Sequence, residues 1–255
     1  MLYLPLLLAA VALADEAPVF DMHPAPLQDE EAAPEGPDGK WTGAFTVGAN
    51  ISSGNTEATN ASATFDAVSE TEEERWTVGL NWAFASEDGS GVTQRQIAGR
   101  GQYDRFIDEH SYYFGNLSLT NDLAAALDLR STLGVGYGRQ FRNDATLKIK
   151  GEAGLSYVDE NFVVDEDDAN YVAVRLAYAL DWVKSARWTF GHSGEVLPSL
   201  DDSQDIYSRT DTRAKAKLSE NMFAQFQWIW DWDNSPATGK QKSDHLYLIT
   251  IGWTF

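Results

Sequence analysis

The last eleven residues of the chain, His245 to Phe255, alternate without exception. His245, Tyr247, Ile249, Ile251, Trp253 and Phe255 fall on one face of an extended segment, and Leu246, Leu248, Thr250, Gly252 and Thr254 on the other. Side chains in a strand have a period of two, so one face here is aromatic and aliphatic from end to end. Such a face must be covered, either by a protein core or by lipid. Whether the pattern recurs upstream decides between the two.

It recurs from Trp41 onward. Twelve segments of about ten residues, the length of a tilted membrane-crossing strand, are predicted near 41–51, 58–68, 75–85, 94–105, 111–119, 128–140, 146–157, 170–181, 187–197, 205–217, 222–232 and 244–255. The clearest sets Leu147, Ile149, Ala153, Leu155 and Tyr157 against Lys148, Lys150, Glu152, Gly154 and Ser156. A soluble sandwich can alternate in the same way, so the linkers carry the distinction. Short ones at 72–74, 107–110, 142–145, 183–186 and 219–221 alternate with mostly longer ones at 52–57, 87–92, 120–127, 158–169, 198–204 and 233–243, which are rich in Asp, Gly, Ser and Pro. Short turns on one rim and long loops on the other are the pattern of a transmembrane antiparallel β-barrel, and an even strand count returns Phe255 to the turn rim. The expected fold is therefore all-β, a twelve-stranded barrel over residues 41–255. A ten-stranded barrel follows instead if 94–105 and 111–119 pair differently.

Composition is consistent with this reading. Hydrophobic residues make up 43% and aromatics 12%, too many for a disordered chain. Beyond the N-terminus no apolar run approaches the ~18 residues a spanning helix needs. The mean hydropathy lies below zero, as it does when only alternate residues face lipid. There is no cysteine, which excludes disulfides and thiolate chemistry. A net charge of -20 opposes nucleic-acid binding. No phosphate-cradling glycine loop, metal-ligand cluster or dinucleotide fingerprint is present, so no cofactor is expected.

At the N-terminus, the apolar run Leu2–Leu13 closes on Ala12-Leu13-Ala14, which reads as a signal peptide over 1–14 cleaved after Ala14, although its start lacks Lys and Arg. Residues 15–40 hold five prolines, eight acids and one lysine, so they read as a disordered acidic periplasmic linker. A solvated extension is favoured there over an arm that contacts periplasmic partners.

Tryptophan gives a separate check, because indole prefers the headgroup level. Trp41, Trp76, Trp182, Trp188 and Trp253 fall near the turn rim and Trp82 and Trp232 near the loop rim, forming two girdles; Trp228 and Trp230 lie deeper. With the apolar faces outward, Arg75, Arg100, Lys148, Lys150, Glu152, Arg175, Arg187, Arg209, Asp211, Arg213, Lys215 and Lys217 line the lumen, with Asp66, Asp104, Asp181, Glu195, Asp231 and Asp244 among them. The signs nearly balance, so a lumen filled by ion pairs is the first reading. The turn-side half holds Arg75, Lys148, Lys150, Arg187, Arg213, Lys215 and Lys217, so a narrow channel leaning toward small anions is the alternative.

Two further sites were weighed. Asp159, Glu160, Asp165, Glu166, Asp167 and Asp168 form an acidic outer loop that could take Ca2+, with plain solvation favoured. His192 with Ser208 or Thr210 on the outer wall could serve an outer-membrane lipid hydrolase, a remote alternative without an evident orienting amide.

Trp41-Thr-Gly-Ala-Phe-Thr-Val-Gly followed by Ser53-Gly54-Asn55-Thr56-Glu57, then Gly154-Leu-Ser-Tyr157, Tyr178-Ala-Leu-Asp-Trp182, Trp230-Asp-Trp-Asp233 and Asp244 to Phe255, resemble the family of salt-induced outer-membrane proteins. The resemblance covers roughly 41–255. It implies a bacterial outer-membrane barrel, without an assigned reaction or ligand, and hints at salt or osmotic stress. The final strand also resembles the closing strand of bacterial outer-membrane barrels, whose aromatic terminal residue, here Phe255, belongs to the signal read by the barrel-assembly machinery. The expected partners are that machinery, outer-membrane lipid and lipopolysaccharide; the expected role is porin-like or structural and non-enzymatic.

Overall fold

The computed structural model describes residues 38–52, 58–87, 89, 91–163, 168–202, 204–236 and 239–255. The segment expected to be a signal peptide, nearly all of the expected acidic linker, and residues 53–57 and 164–167 lie outside them. Twelve strands follow in chain order: β1 (Thr42–Ser52), β2 (Ala58–Glu70), β3 (Glu74–Glu87), β4 (Gly91–Phe106), β5 (Ser111–Asp122), β6 (Leu127–Asn143), β7 (Leu147–Phe162), β8 (Ala169–Val183), β9 (Trp188–Pro198), β10 (Ile206–Lys217), β11 (Met222–Asp233) and β12 (Ser243–Thr254). Each pairs antiparallel with its neighbours in sequence, and β12 returns to β1, closing a barrel without a free edge. The ten-stranded alternative is excluded, because β4 and β5 pair with each other from Gln96↔Asp122 to Phe106↔Tyr112.

All twelve predicted segments are strands, but several run further toward the loop rim. β7 continues to Phe162, pairing Asp159 with Ser131 and Glu160 with Arg130. Asp159 and Glu160 therefore belong to the wall and not to the acidic loop. Glu160 points inward to an arginine as the alternation requires, and the outward position beside it carries Asp159 where an apolar residue would be expected, which hid the extension. Arg187 is a second correction: it lies in the exposed turn before β9 rather than on the luminal face.

The distribution of side chains inverts that of a soluble protein. Leu133, Val135, Tyr247 and Ile249 are each 60% exposed or more, whereas Thr46, Gln96, Asp104, Glu152, Arg175 and Gln227 are buried inside. A continuous exposed apolar wall has no aqueous equivalent in a monomer. At the turn rim Trp41, Trp76, Trp182, Trp188 and Trp253 are all exposed; Trp76 packs on Tyr103, and Trp182 and Trp188 both pack on Phe190. Trp82 is exposed higher on β3, and Trp232 is the last residue but one of β11. Trp228 and Trp230 join His245 and Tyr247 in one stacked aromatic row across β11 and β12.

Small residues set the spacing inside. The middle of the inner face of β6 is Gly134, Gly136 and Gly138, and a Cβ on Gly138 would sit 2.3 Å from the Tyr112 ring. Tyr112 therefore lies flat against the wall, fully buried. The one apolar cluster among the described residues also faces inward, where Val158, Tyr171, Ala173 and Leu197 meet Tyr207.

The β1–β12 seam is short. It pairs only from Ala44↔Thr254 to Val47↔Ile251, whereas β1 and β2 pair from Thr42↔Val68 to Ser52↔Ala58. Phe255 and Gly43 extend it by exchanging backbone hydrogen bonds of 3.0 and 3.1 Å. The Phe255 ring occupies the space a Gly43 side chain would fill and stacks on Phe65 at 6.0 Å.

Candidate functional site

The lumen is the concave, polar part of the molecule, and its character changes along the axis. Toward the loop rim it is braced. Arg130 points inward on β6 because Leu129 and Leu133 face out. Its guanidinium meets Glu160 on neighbouring β7 and reaches Asp233 on β11 with Nη2–Oδ2 at 2.8 Å. β6 and β11 lie nearly opposite each other in the twelve-strand ring, so one side chain ties two walls. Its Cζ stacks over Tyr207 at 4.1 Å. A planar cation with five donors suits this role, since it can serve two carboxylates and a ring face at once. Beside it Arg209 holds both oxygens of Asp231 at 3.1 and 3.0 Å, and Tyr207 Oη donates to the same carboxylate at 2.6 Å. In the loop just before β10, partial burial raises the Asp205 carboxyl to about 6, aided by the charges of Glu160 and Asp233.

The middle of the lumen is a cavity of about 540 Å³. Across it Arg213 on β10 reaches Asp66 on β2 at 3.1 Å while also holding Asp211 at 2.7 Å. Asp66 takes a second cation, Arg100, at 2.6 Å. Solvent enters here, since the Arg100 side chain is 51% exposed although it points inward.

Nearer the turn rim the charges pair along the wall. Arg75 holds Asp104 at 2.7 Å and Glu70 at 3.4 Å. Glu152 gathers Arg175 at 2.8 Å, Lys150 at 3.1 Å, Gln102 at 2.9 Å and Tyr112 Oη at 2.8 Å. Arg175 also meets Glu195 at 2.5 Å. Of the seven bases expected on this side, Arg75, Lys150 and Arg213 are thereby neutralised. Lys148, Lys215 and Lys217 make no ion pair among the described residues, and Lys215 rests its ammonium over Phe223 at 4.9 Å.

Arg130, Glu160, Asp233, Tyr112 and Tyr207 are among the luminal residues absent from the sequence-derived set. The signal for Arg130 is present in the alternation Leu129, Ser131, Leu133, Val135, Tyr137, which places it inward. The partnership with Asp233 has no local signal, because it joins residues far apart in sequence.

On the outer wall, His192 is bonded on both ring nitrogens, to Tyr178 Oη at 2.7 Å and Thr212 Oγ1 at 2.9 Å. Ser208 instead donates to the Glu195 carbonyl at 3.1 Å. The hydroxyls expected beside His192, those of Ser208 and Thr210, are therefore not its partners. The Tyr178–His192–Thr212 row leaves the ring without a free nitrogen on an apolar surface, as backbone and side-chain polar groups in hydrocarbon require.

Solved structures of similar architecture include a NanC porin (8% identity, TM-score 0.49, covering 84% of this chain and 99% of that one). The translocator domain of the autotransporter NalP from Neisseria meningitidis (10%, 0.44, 84% and 88%) and a KdgM porin (8%, 0.41, 85% and 99%) are also similar. A comparison with curated protein sequences finds no match. The match that spans the barrel, over residues 45–255, is to the family described as "Protein of unknown function, DUF481", and the chain belongs to that family.

Proposed function

We propose that this chain is a bacterial outer-membrane barrel whose lumen restricts passage to small ions, in a passive, non-enzymatic envelope role under salt or osmotic stress. The exposed apolar wall, the strand lengths and the turn-rim aromatics support the membrane setting. The observation that carries the restriction is the Arg130–Asp233 tie between opposed walls. A charge held by carboxylates on both sides divides the opening into gaps that only small ions pass. Planar-bilayer recording of refolded protein tests this. Native protein gives small or undetectable steps, and Arg130→Ala gives discrete steps several-fold larger. Large steps from native protein, or no change in Arg130→Ala, would sink the proposal.

The second reading is an anion-leaning channel. It is favoured by Lys148, Lys215 and Lys217, which make no ion pair among the described residues. In asymmetric KCl, changing Lys215 and Lys217 to Glu moves the reversal potential toward cation preference if that reading holds.

A further inference from the structure

At the loop rim the lumen carries more carboxylates than its arginines neutralise. Arg130 is committed to Glu160 and Asp233, and Arg209 to Asp231. Asp122, which ends β5, and Asp244, near the start of β12, make no ion pair among the described residues. Of the bases that line the same cleft, Arg130 and Arg209 are paired as above, and Lys240 makes no ion pair among the described residues. This cleft has a volume of about 40 Å³, and its lining includes Gln96, Asp122, Asp231 and Asp244 beside the paired Arg130 and Arg209. It is large enough for a water or a single ion, and carboxylates and an amide oxygen stand on its wall.

Gln96 supplies the observation that points to a ligand. It is 4% exposed, and its Nε2 donates to Asp122 Oδ2 at 2.6 Å. An ionised carboxylate only accepts, so the amide cannot be turned around. Its Oε1 is then left buried in the cleft without a hydrogen-bond partner. Asp122 Oδ1 accepts the Ala124 and Ala125 backbone N–H groups at 2.9 and 3.3 Å, yet no base pairs with it among the described residues; a buried carbonyl oxygen beside such a charge costs free energy unless a cation or donor meets it.

We infer that this cleft binds a hydrated divalent cation of the Ca2+ or Mg2+ class, held by Asp122, Asp244 and the Gln96 carbonyl, with water completing the shell. All donors are hard oxygens, as these cations prefer. No preformed cluster of three or more carboxylate or histidine ligands occurs among the described residues, so the site belongs to the weak class, roughly 10⁻⁴ to 10⁻³ M. The bound ion joins the β4–β5 wall to the β11–β12 wall, whether or not the barrel conducts.

The test is terbium luminescence of the refolded full chain, sensitised by Tyr207, which lines the same cleft. Emission saturates, and millimolar Ca2+ displaces it where Na+ at equal ionic strength does not. Asp122→Asn with Asp244→Asn weakens Tb3+ binding by about tenfold or more, Gln96→Leu weakens it by less, and Asp202→Asn outside the cleft leaves it unchanged. Non-saturable emission, equal displacement by Na+, or an unaltered curve in the double variant overturns the inference. So does a proton held between Asp122 and Gln96 in place of the ion, seen as absent Tb3+ binding at pH 7. Circular dichroism and heat-modifiable migration check folding; if the double variant does not fold, Gln96→Leu alone decides.

Discussion

The braced loop end and the open middle of the lumen use the same chemistry to different effect. Arg130 and Glu160 have side chains 12% and 8% exposed, with an apolar cluster beside them. Arg213 and Asp66 are 21% and 33% exposed, and Arg100 beyond them is half in water. Arg130 continues across the lumen to Asp233, and Arg213 to Asp66, so each arginine joins strands that are not neighbours. What separates them is solvent: a buried cation that loses its partner leaves an uncompensated charge, whereas a hydrated one recovers its solvation. The same Arg–carboxylate contact is thus a structural strut at one level and an adjustable contact at the other.

The largest test of this contrast is Arg130→Met. It strands Glu160 in the closed end, and we expect a loss of about 3–5 kcal/mol in urea unfolding. A loss under about 1 kcal/mol would mean that water reaches Glu160 and that the two ends do not differ.

Next comes a double-mutant cycle on Arg213 and Asp66. With water available, the coupling is expected to be about 1 kcal/mol or less, and it falls further in high salt. A larger, salt-insensitive coupling would place this pair in the braced class.

The smallest effect concerns Asp205. Its carboxyl is raised to about 6 by partial burial and by Glu160 and Asp233, opposed by Arg130. The folded barrel holds this proton more tightly than the unfolded chain does. Its contribution is therefore fully present below about pH 4 and is lost as pH rises from about 4 to 6. Asp205→Asn flattens that part of the stability–pH curve and leaves the curve above pH 7 parallel to that of native protein. An unchanged slope would show that the acids around Arg130 do not sense one another.

The fold was legible because a barrel writes itself in local terms. Alternation around Leu147–Tyr157 and the short–long linker sequence need no knowledge of distant residues, and twelve strands follow from them. Strand ends were less legible where alternation continues on polar residues, as at Asp159 and Glu160. The candidate site was legible by face and not by partner. Parity places Arg75, Arg175, Arg209 and Arg213 inward, but nothing local says that Arg130 will meet Asp233 or that Glu152 will gather four groups. Arg187 shows the limit from the other side, since parity is meaningless once the chain has entered a turn. His192 shows it on the wall: its facing was readable, while its hydroxyl partners, Tyr178 and Thr212, depend on register between three strands.

The brevity of the β1–β12 seam has a mechanical consequence. A cylinder held by eleven longer joints and one short one has a defined line of rupture, and under lateral tension the wall parts there first. The first and last strands of the barrel border that line, so the two strands farthest apart in sequence meet at the joint with the least to undo. Phe255, laid over Gly43 like a clasp on the turn rim, sets the edge from which such a parting would have to start.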